Sequence, residues 1–190
     1  MCKIDTDWKD FVVNIIDSLF IKDSLLNYID LKNNFSLIED SLKTYICKKS
    51  KNSKLDFNAV AQGYSVDLVG DFLKTKRVEN FLIEIGGELS SYGKNHENKL
   101  WRVGIEKPID SSFVGEYEFQ KIIELDNQSL ATSGNYRKFK VINGRKFSHS
   151  IDPKSGFPAN NNLLSVTVVC EKAANADALG TLRILEAIKF

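Results

Sequence analysis

Apolar residues recur every three to four positions over most of the first fifty residues. Between residues 7 and 21 they are Trp8, Phe11, Val12, Ile15, Ile16, Leu19 and Phe20, a spacing that predicts an amphipathic helix. Residues 24–29 and 36–46 repeat this helical pattern more weakly, and Asn33-Asn34 marks a break between them. Residues 1–50 are therefore expected to form a helical, peripheral segment.

The rest of the chain mixes strand and helix patterns. Residues 55–76 begin as a short strand and continue as a helix that Asn58 caps, with an apolar face made of Val60, Tyr64, Val66, Leu68, Val69, Phe72 and Leu73. A buried strand over 80–89 ends in Gly86-Gly87, where a ligand or another backbone can come close, and Ser90 to Gly93 form an edge or turn. Further strands are predicted at 101–106, 119–125 and 165–170, and a last helix at about 173–188.

Residues 131–158 carry a concentration of hydroxyl, imidazole and carboxylate side chains around one hairpin. Asn143-Gly144 is a two-residue turn signal, so the flanks at 138–142 and 146–150 are expected to pair as antiparallel strands. Thr132, Ser133 and Gly134 lie in a polar loop before the hairpin and offer hydroxyls and bare backbone to a phosphate or ribose. His149 can move a proton near neutral pH. An ordinary turn and a structural histidine are strong alternatives for each residue alone, but the combination favours an active-site wall.

Composition limits the kinds of partner. The chain has 190 residues, 43% of them hydrophobic, and a net charge of +1, which argues against nucleic acid as a partner. Its three cysteines are widely spaced and indicate neither a disulfide framework nor a zinc site. No apolar run reaches the roughly 18 to 20 residues that span a bilayer, and the first residues do not resemble a signal peptide. The chain as given is expected to be cytoplasmic, unless a leader is missing from this copy.

A second chemical signal lies in the last predicted helix. Asp177 and Thr181 are four residues apart, so they share one helical face. Both side chains end in oxygen, and a hard cation such as Mg²⁺ prefers carboxylate, hydroxyl, carbonyl and water oxygens. Helix caps are the alternative, because Asp and Thr are common at helix starts.

Five segments occur in the order found in a known enzyme family. They are DFNAVAQGYSVD at 56–67, IGGE at 85–88, ATSGNY at 131–136, SHSIDPKSGFP at 148–158 and ADALGT at 176–181. Together they resemble the ApbE-type FAD:protein FMN transferases, and WRVGIEKP at 101–108 is similar as well. The resemblance implies an α+β fold of T-fold-like architecture, in which helices pack on a mainly antiparallel sheet. The resemblance to this family covers most of a single domain that is expected over residues 55–190, and residues 1–50 are expected to be peripheral to that domain.

The resemblance also implies a reaction and a set of residues. A member of this family uses Mg²⁺ to transfer FMN from FAD to a Ser or Thr hydroxyl of an acceptor protein, and AMP is released. By similarity Asp177, Thr181 and a backbone carbonyl near Ala61 hold the metal, and His149 takes the proton from the acceptor hydroxyl. The residues expected to line the dinucleotide are Gly86, Gly87, Thr132, Ser133 and Gly134, with Glu106 and Pro108 near its adenosine half.

The chain departs from the family pattern in two ways. Gln62 stands where the family usually has Lys, which removes a positive charge near the diphosphate. Family members also extend further at both ends and are often exported or anchored in the inner membrane, so the chain is expected to be truncated. Two alternatives stay open: an FAD-binding module without transferase activity, which these departures favour, and an Mg²⁺-dependent FAD pyrophosphatase.

Overall fold

A computed structural model describes residues 31–108, 119–134, 139–142, 145–148, 151–152, 156, 158 and 163–186. Two compact units divide the chain: one falls within Met1–Asp56 and Ile151–Pro158, the other within Phe57–Ser150 and Ala159–Phe190. The helices predicted at 7–21 and 24–29 lie outside the described residues. The division into a 1–50 segment and a 55–190 domain stays a prediction.

The first unit contains a β-hairpin where a helix was expected. Its elements are the single turn α1 (Leu31–Asn34) and the antiparallel strands β1 (Phe35–Glu39) and β2 (Thr44–Lys48). The helix predicted at 36–46 is therefore wrong. Asp40 explains the difference, because its Oδ1 accepts the backbone N–H groups of Leu42 and Lys43 at 2.8 Å each and closes the turn. The flanking residues are rich in β-branched and aromatic side chains, which suit strands.

The second unit combines two long helices with antiparallel strands. Its elements are α2 (Ala61–Thr75), β3 (Phe81–Ile85), β4 (Glu88–Tyr92), β5 (Trp101–Glu106), β6 (Phe119–Leu125), β7 (Ser129–Gly134), β8 (Phe139–Ile142), β9 (Arg145–Ser148), β10 (Ser165–Cys170) and α3 (Ala173–Glu186). A four-stranded sheet has the order β10-β7-β4-β3, while β5 pairs with β6 and β8 with β9. Every pair is antiparallel, which confirms the α+β prediction.

Two apolar clusters lie on opposite faces of the four-stranded sheet. Val66 of α2, Phe81 and Ile83 of β3 and Ala173 of α3 form the cluster on the helix side, and Tyr92 of β4 packs against it. The other cluster consists of Val103, Leu125 and Leu130, with Leu89 of β4 beside it. Because side chains alternate along a strand, Glu88 shares the helix side of β4 with Tyr92.

The apolar face predicted for α2 is only partly buried. Tyr64, Leu68 and Phe72 are 55%, 52% and 57% exposed. The buried positions are Gly63, Val66 and Gly70, which follow the same three-to-four spacing. The helix therefore turns Gly63, Val66 and Gly70 toward the core of this unit, with Leu73 packed against it.

The paired glycines form a hairpin turn. Gly86 and Gly87 have φ values of 68° and 110°, and Ile85 pairs with Glu88 across them. Two-residue hairpin turns of this kind need positive φ at both central positions, which glycine adopts without strain. The strand predicted at 80–89 thus ends at Ile85, and the predicted turn at Ser90 is part of β4.

Three other local predictions meet different outcomes. The predicted hairpin is confirmed, since β8 and β9 pair with Ile142 opposite Arg145. The polar loop predicted at 132–134 is instead the end of β7, because pairing with β10 along its whole length overrides the weak strand preference of Ser and Gly. The strand predicted near residue 55 is absent from the described residues, and α2 is preceded by a turn in which the carbonyl of Phe57 accepts the Ala61 N–H at 2.8 Å.

Candidate functional site

The first turns of α2 and α3 are in direct contact. The buried side of α3 consists of Ala173, Ala176, Asp177, Gly180 and Ile184, which repeat at three-to-four spacing. Gly63 of α2 lies against its beginning: a Cβ on Gly63 would overlap the carbonyl of Ala173 and lie 2.8 Å from the Ala174 nitrogen. Glycine at this position allows the two helix backbones to approach each other.

Asp177 occupies the contact between these two helices. Its side chain is buried, with the residue only 5% exposed, and its Oδ2 accepts the backbone N–H of Gly63 at 3.0 Å. The carboxylate therefore caps the first turn of α2, where the N–H groups are otherwise unpaired and the helix dipole favours negative charge. Asp177 lies in the second turn of α3, so it does not cap its own helix.

Ala61 is the first residue of α2, two positions before Gly63. It is exposed, and its carbonyl oxygen accepts the Ser65 hydroxyl at 2.8 Å. The Ala61 carbonyl therefore belongs to the same helical turn as the Gly63 N–H group that Asp177 binds. A cation held by this oxygen would share it with Ser65.

Thr181 and Ser133 meet one turn further along α3. Their hydroxyl oxygens are 3.4 Å apart, and a Cβ on Gly180 would lie 2.9 Å from the Ser133 hydroxyl. Asp177, Thr181 and Ser133 therefore belong to one surface between α3 and β7. Thr132 does not join them, because it shares the opposite face of β7 with Leu130, and its hydroxyl bonds that of Thr167 at 2.9 Å.

Gln62 and Glu88 frame the glycine turn. A Cβ on Gly86 would overlap the side-chain nitrogen of Gln62 and lie 3.6 Å from Oε2 of Glu88. Glu88 is 7% exposed, and its Oε2 has no hydrogen-bond partner among the described residues. Burial, followed by repulsion from Asp177, raises the pKa of Glu88 to about 7. The start of α2 therefore lies over the Gly86-Gly87 turn, close to a buried acid.

The remaining predicted residues are not connected to this cluster by the described contacts. Gly134 ends β7, opposite Ser165 of β10. Glu106 ends β5 opposite Phe119 of β6, and Pro108 follows it; both are half-buried, and their place beside the adenosine half stays a prediction. His149 lies outside the described residues.

The donor set suits a hard cation better than a zinc-type metal. Among the described residues no three His, Cys, Asp or Glu side chains group into a metal site. Asp177, Thr181 and the Ala61 carbonyl supply one carboxylate, one hydroxyl and one carbonyl oxygen, which are ligand types that Mg²⁺ accepts alongside water and phosphate.

No helix in the described part of the chain has both the length and the apolar character of a membrane span.

Sequence reasoning missed Glu88, although it lies within the IGGE segment. Its position would have followed from reading Gly86-Gly87 as a hairpin turn, because alternation along β4 then places the side chain on the helix side. Asp67 was missed for a different reason: it accepts the N–H groups of Ala173 and Ala174, more than a hundred residues away, at 2.9 and 3.1 Å.

Comparisons with known proteins point to one family. The ApbE family model matches residues 19–188. The FAD:protein FMN transferase of Haemophilus influenzae is 38% identical over 139 residues, 73% of this chain and 39% of the relative. The FAD:protein FMN transferase of Vibrio cholerae is 41% identical over 127 residues, 67% of this chain and 37% of the relative.

A solved structure agrees with these matches. The flavinyl transferase ApbE of Pseudomonas stutzeri, in its apo form, has a TM-score of 0.68 at 36% identity, and the match covers 83% of this chain and 46% of that one. The chain thus spans about two fifths of the length of the curated relatives it matches. With the match of the family model over residues 19–188, this places the chain in the ApbE family.

Proposed function

We propose that this chain carries the metal-binding and diphosphate-binding part of an FAD:protein FMN transferase. That enzyme transfers FMN from FAD to a Ser or Thr hydroxyl of an acceptor protein and releases AMP. One observation carries the proposal: the Asp177 carboxylate lies at the first turn of α2, and the hydroxyls of Thr181 and Ser133 lie together one turn further along α3. The relatives are named FAD:protein FMN transferases, which supports transfer of FMN from FAD to a protein.

The residues present fit Mg²⁺ as the metal. Asp177, Thr181 and the Ala61 carbonyl would hold it, and the buried Oε2 of Glu88, which lacks a hydrogen-bond partner among the described residues, favours a positive charge nearby. Bound there, the ion neutralises negative charge on the diphosphate.

The chain's own residues would bind and orient the substrate. The bare turn at Gly86-Gly87 lets a phosphate approach the backbone closely. The Ser133 hydroxyl can donate to a phosphate oxygen.

The proposed transfer forms one bond and breaks another. The acceptor's hydroxyl oxygen forms a bond to the phosphorus of the FMN phosphate, and the bond from that phosphorus to the bridging oxygen breaks. AMP leaves with the bridging oxygen and its electron pair. The proton of the acceptor hydroxyl goes to His149, which acts as the general base.

The activity can be tested with an unmodified acceptor protein that the Vibrio cholerae relative is able to flavinylate. The chain is incubated with FAD, Mg²⁺ and that acceptor, and the relative serves as the positive control. Covalent flavin on the acceptor, read as in-gel fluorescence and by mass, supports the transferase. Free FMN and AMP without labelled protein support the pyrophosphatase, and FAD binding without either product supports the binding module.

His149→Ala tests the assignment of the base. Removal of a general base typically lowers the rate about 10² to 10⁴-fold, so transfer should fall by that factor while FAD affinity changes little. His96→Ala is the matched control, because the chain has two histidines and His96 is highly exposed. Equal loss of FAD affinity and rate in His149→Ala would assign the residue to binding.

A further inference from the structure

Glu88 is a buried acid that the reaction proposed above leaves without an assigned role as a ligand or a base. Its residue is 7% exposed, and Oε2 has neither solvent access nor a hydrogen-bond partner among the described residues. A buried carboxylate without compensation is costly, and native structures usually pair such groups. An oxygen of this kind indicates that a positively charged ligand belongs beside it.

The surroundings of Glu88 point to the same place as the other site residues. The side chain is on the helix side of β4, and its Oε2 lies beside Gly86 together with the Gln62 amide at the start of α2. Asp177 accepts the N–H of Gly63, the residue after Gln62, and its negative charge acts on Glu88. Two buried carboxylates thus face the same small region, where the start of α2 meets α3 and the glycine turn.

We propose that Glu88 is the second carboxylate of the cation site, and that it increases the affinity for a divalent cation held by Asp177. Two carboxylates and one divalent cation form a neutral group, so the cation would remove both the repulsion between the acids and the cost of burying them. Mg²⁺ usually retains several bound waters, and one of these can bridge it to Oε2. The inference rests on the cation site of the proposed function.

Direct titration with Mn²⁺, a paramagnetic substitute for Mg²⁺, tests the role without FAD or acceptor. At a pH above the pKa of Glu88, Glu88→Gln should weaken Mn²⁺ binding about 10 to 100-fold, the usual cost of losing a partner around a metal site. Glu88→Asp keeps the charge and should retain more affinity than Glu88→Gln. Glu124→Gln is the control, because Glu124 lies on β6 with an exposed side chain, and its loss should leave the affinity unchanged.

Every outcome of this titration decides the proposal. Equal Mn²⁺ affinities for the parent and Glu88→Gln, both folded by circular dichroism, overturn it, as does a parent chain that binds no Mn²⁺. Failure of the proposed function is recognised separately. If the Mn²⁺ affinity depends on Glu88 but the chain transfers no FMN, the cation site is supported and the proposed function fails. If the chain transfers FMN but its Mn²⁺ affinity does not depend on Glu88, the proposed function is supported and the role of Glu88 fails.

Discussion

Asp67 and Asp177 cap each other's helices. Asp67 of α2 accepts the first N–H groups of α3, those of Ala173 and Ala174, at 2.9 and 3.1 Å. Asp177 of α3 accepts the N–H of Gly63 in the first turn of α2 at 3.0 Å. Each carboxylate therefore stabilises the positive end of the other helix. This reciprocal arrangement fixes the two helix starts where the candidate metal ligands lie.

Asp67→Ala should destabilise the protein although the residue is not a predicted ligand. It leaves two N–H groups at the start of α3 without their acceptor, and loss of a helix cap costs about 0.5–2 kcal/mol. The free energy of unfolding in urea measures the effect. Asp71→Ala is the control: Asp71 is on the same helix, and its exposed ion pair with Lys172 at 3.5 Å is worth about 0–1 kcal/mol. Equal losses for the two variants would contradict the cap.

Two glycines of α2 should respond in opposite directions to alanine. In Gly63→Ala the new methyl meets the backbone of Ala173, which cannot move aside as a side chain can, so a loss of about 1–3 kcal/mol is expected. In Gly70→Ala the methyl would lie 3.5 Å from the Ile83 side chain, an ordinary contact. Alanine then improves the helix by about 0.5–1 kcal/mol. Thermal melting of the two variants gives the comparison, and a stabilised Gly63→Ala would disprove the tight crossing.

The contrast between these glycines also shows what sequence patterns can predict in α2. The helix itself follows from its apolar spacing, and Val66 of the predicted face is buried, but Tyr64, Leu68 and Phe72 of the same predicted face are exposed. Gly63 and Gly70 flank Val66 on the face that packs, and hydrophobicity gives no weight to glycine. The close packing at Gly63 depends on α3, more than a hundred residues away in the chain.

The candidate site was predictable where local spacing determines it. Asp177 and Thr181 are four residues apart on a helix, and the helix was predicted correctly, so their shared face followed. Thr132 and Ser133 were placed together in a loop, but the strand β7 sends them to opposite faces of the sheet. The face on which the Glu88 side chain lies depends on the hairpin turn at Gly86-Gly87. The sequence pattern predicted one continuous strand over this region and so did not predict the turn.

Two substitutions of Asp177 should separate its structural role from its role toward a metal. The buried carboxylate accepts the Gly63 N–H, so Asp177→Ala leaves that donor unpaired at a cost of about 1–3 kcal/mol. Asp177→Asn retains an oxygen that can accept this bond but loses the charge. It should melt close to the parent and still lose Mn²⁺ binding. An Asp177→Asn protein with the parent's Mn²⁺ affinity would contradict the metal assignment.

Glu88 should make the stability of the metal-free protein depend on pH. The pKa of its carboxyl rises from an ordinary value of 4.5 to about 7 on folding, because burial and then Asp177 disfavour the charged form. Below pH 4.5 the group is protonated in the folded and unfolded chains alike, so it carries no penalty. Between pH 4.5 and about 7 the folded chain binds more protons, and stability falls as the pH rises.

The difference between Glu88→Gln and the parent isolates this effect from all other titrating groups. In buffer with EDTA, the gain in unfolding free energy from Glu88→Gln should grow from pH 4.5 to about 7 and stay level above that. Urea unfolding at several pH values measures the gain, and Glu124→Gln should show no comparable growth, because the Glu124 side chain is exposed. If the difference in unfolding free energy between Glu88→Gln and the parent were constant over this pH range, Glu88 would titrate alike in the folded and unfolded chains. The buried oxygen would then be accessible to water or paired with another group, and the case for a cation beside it would lose its main support.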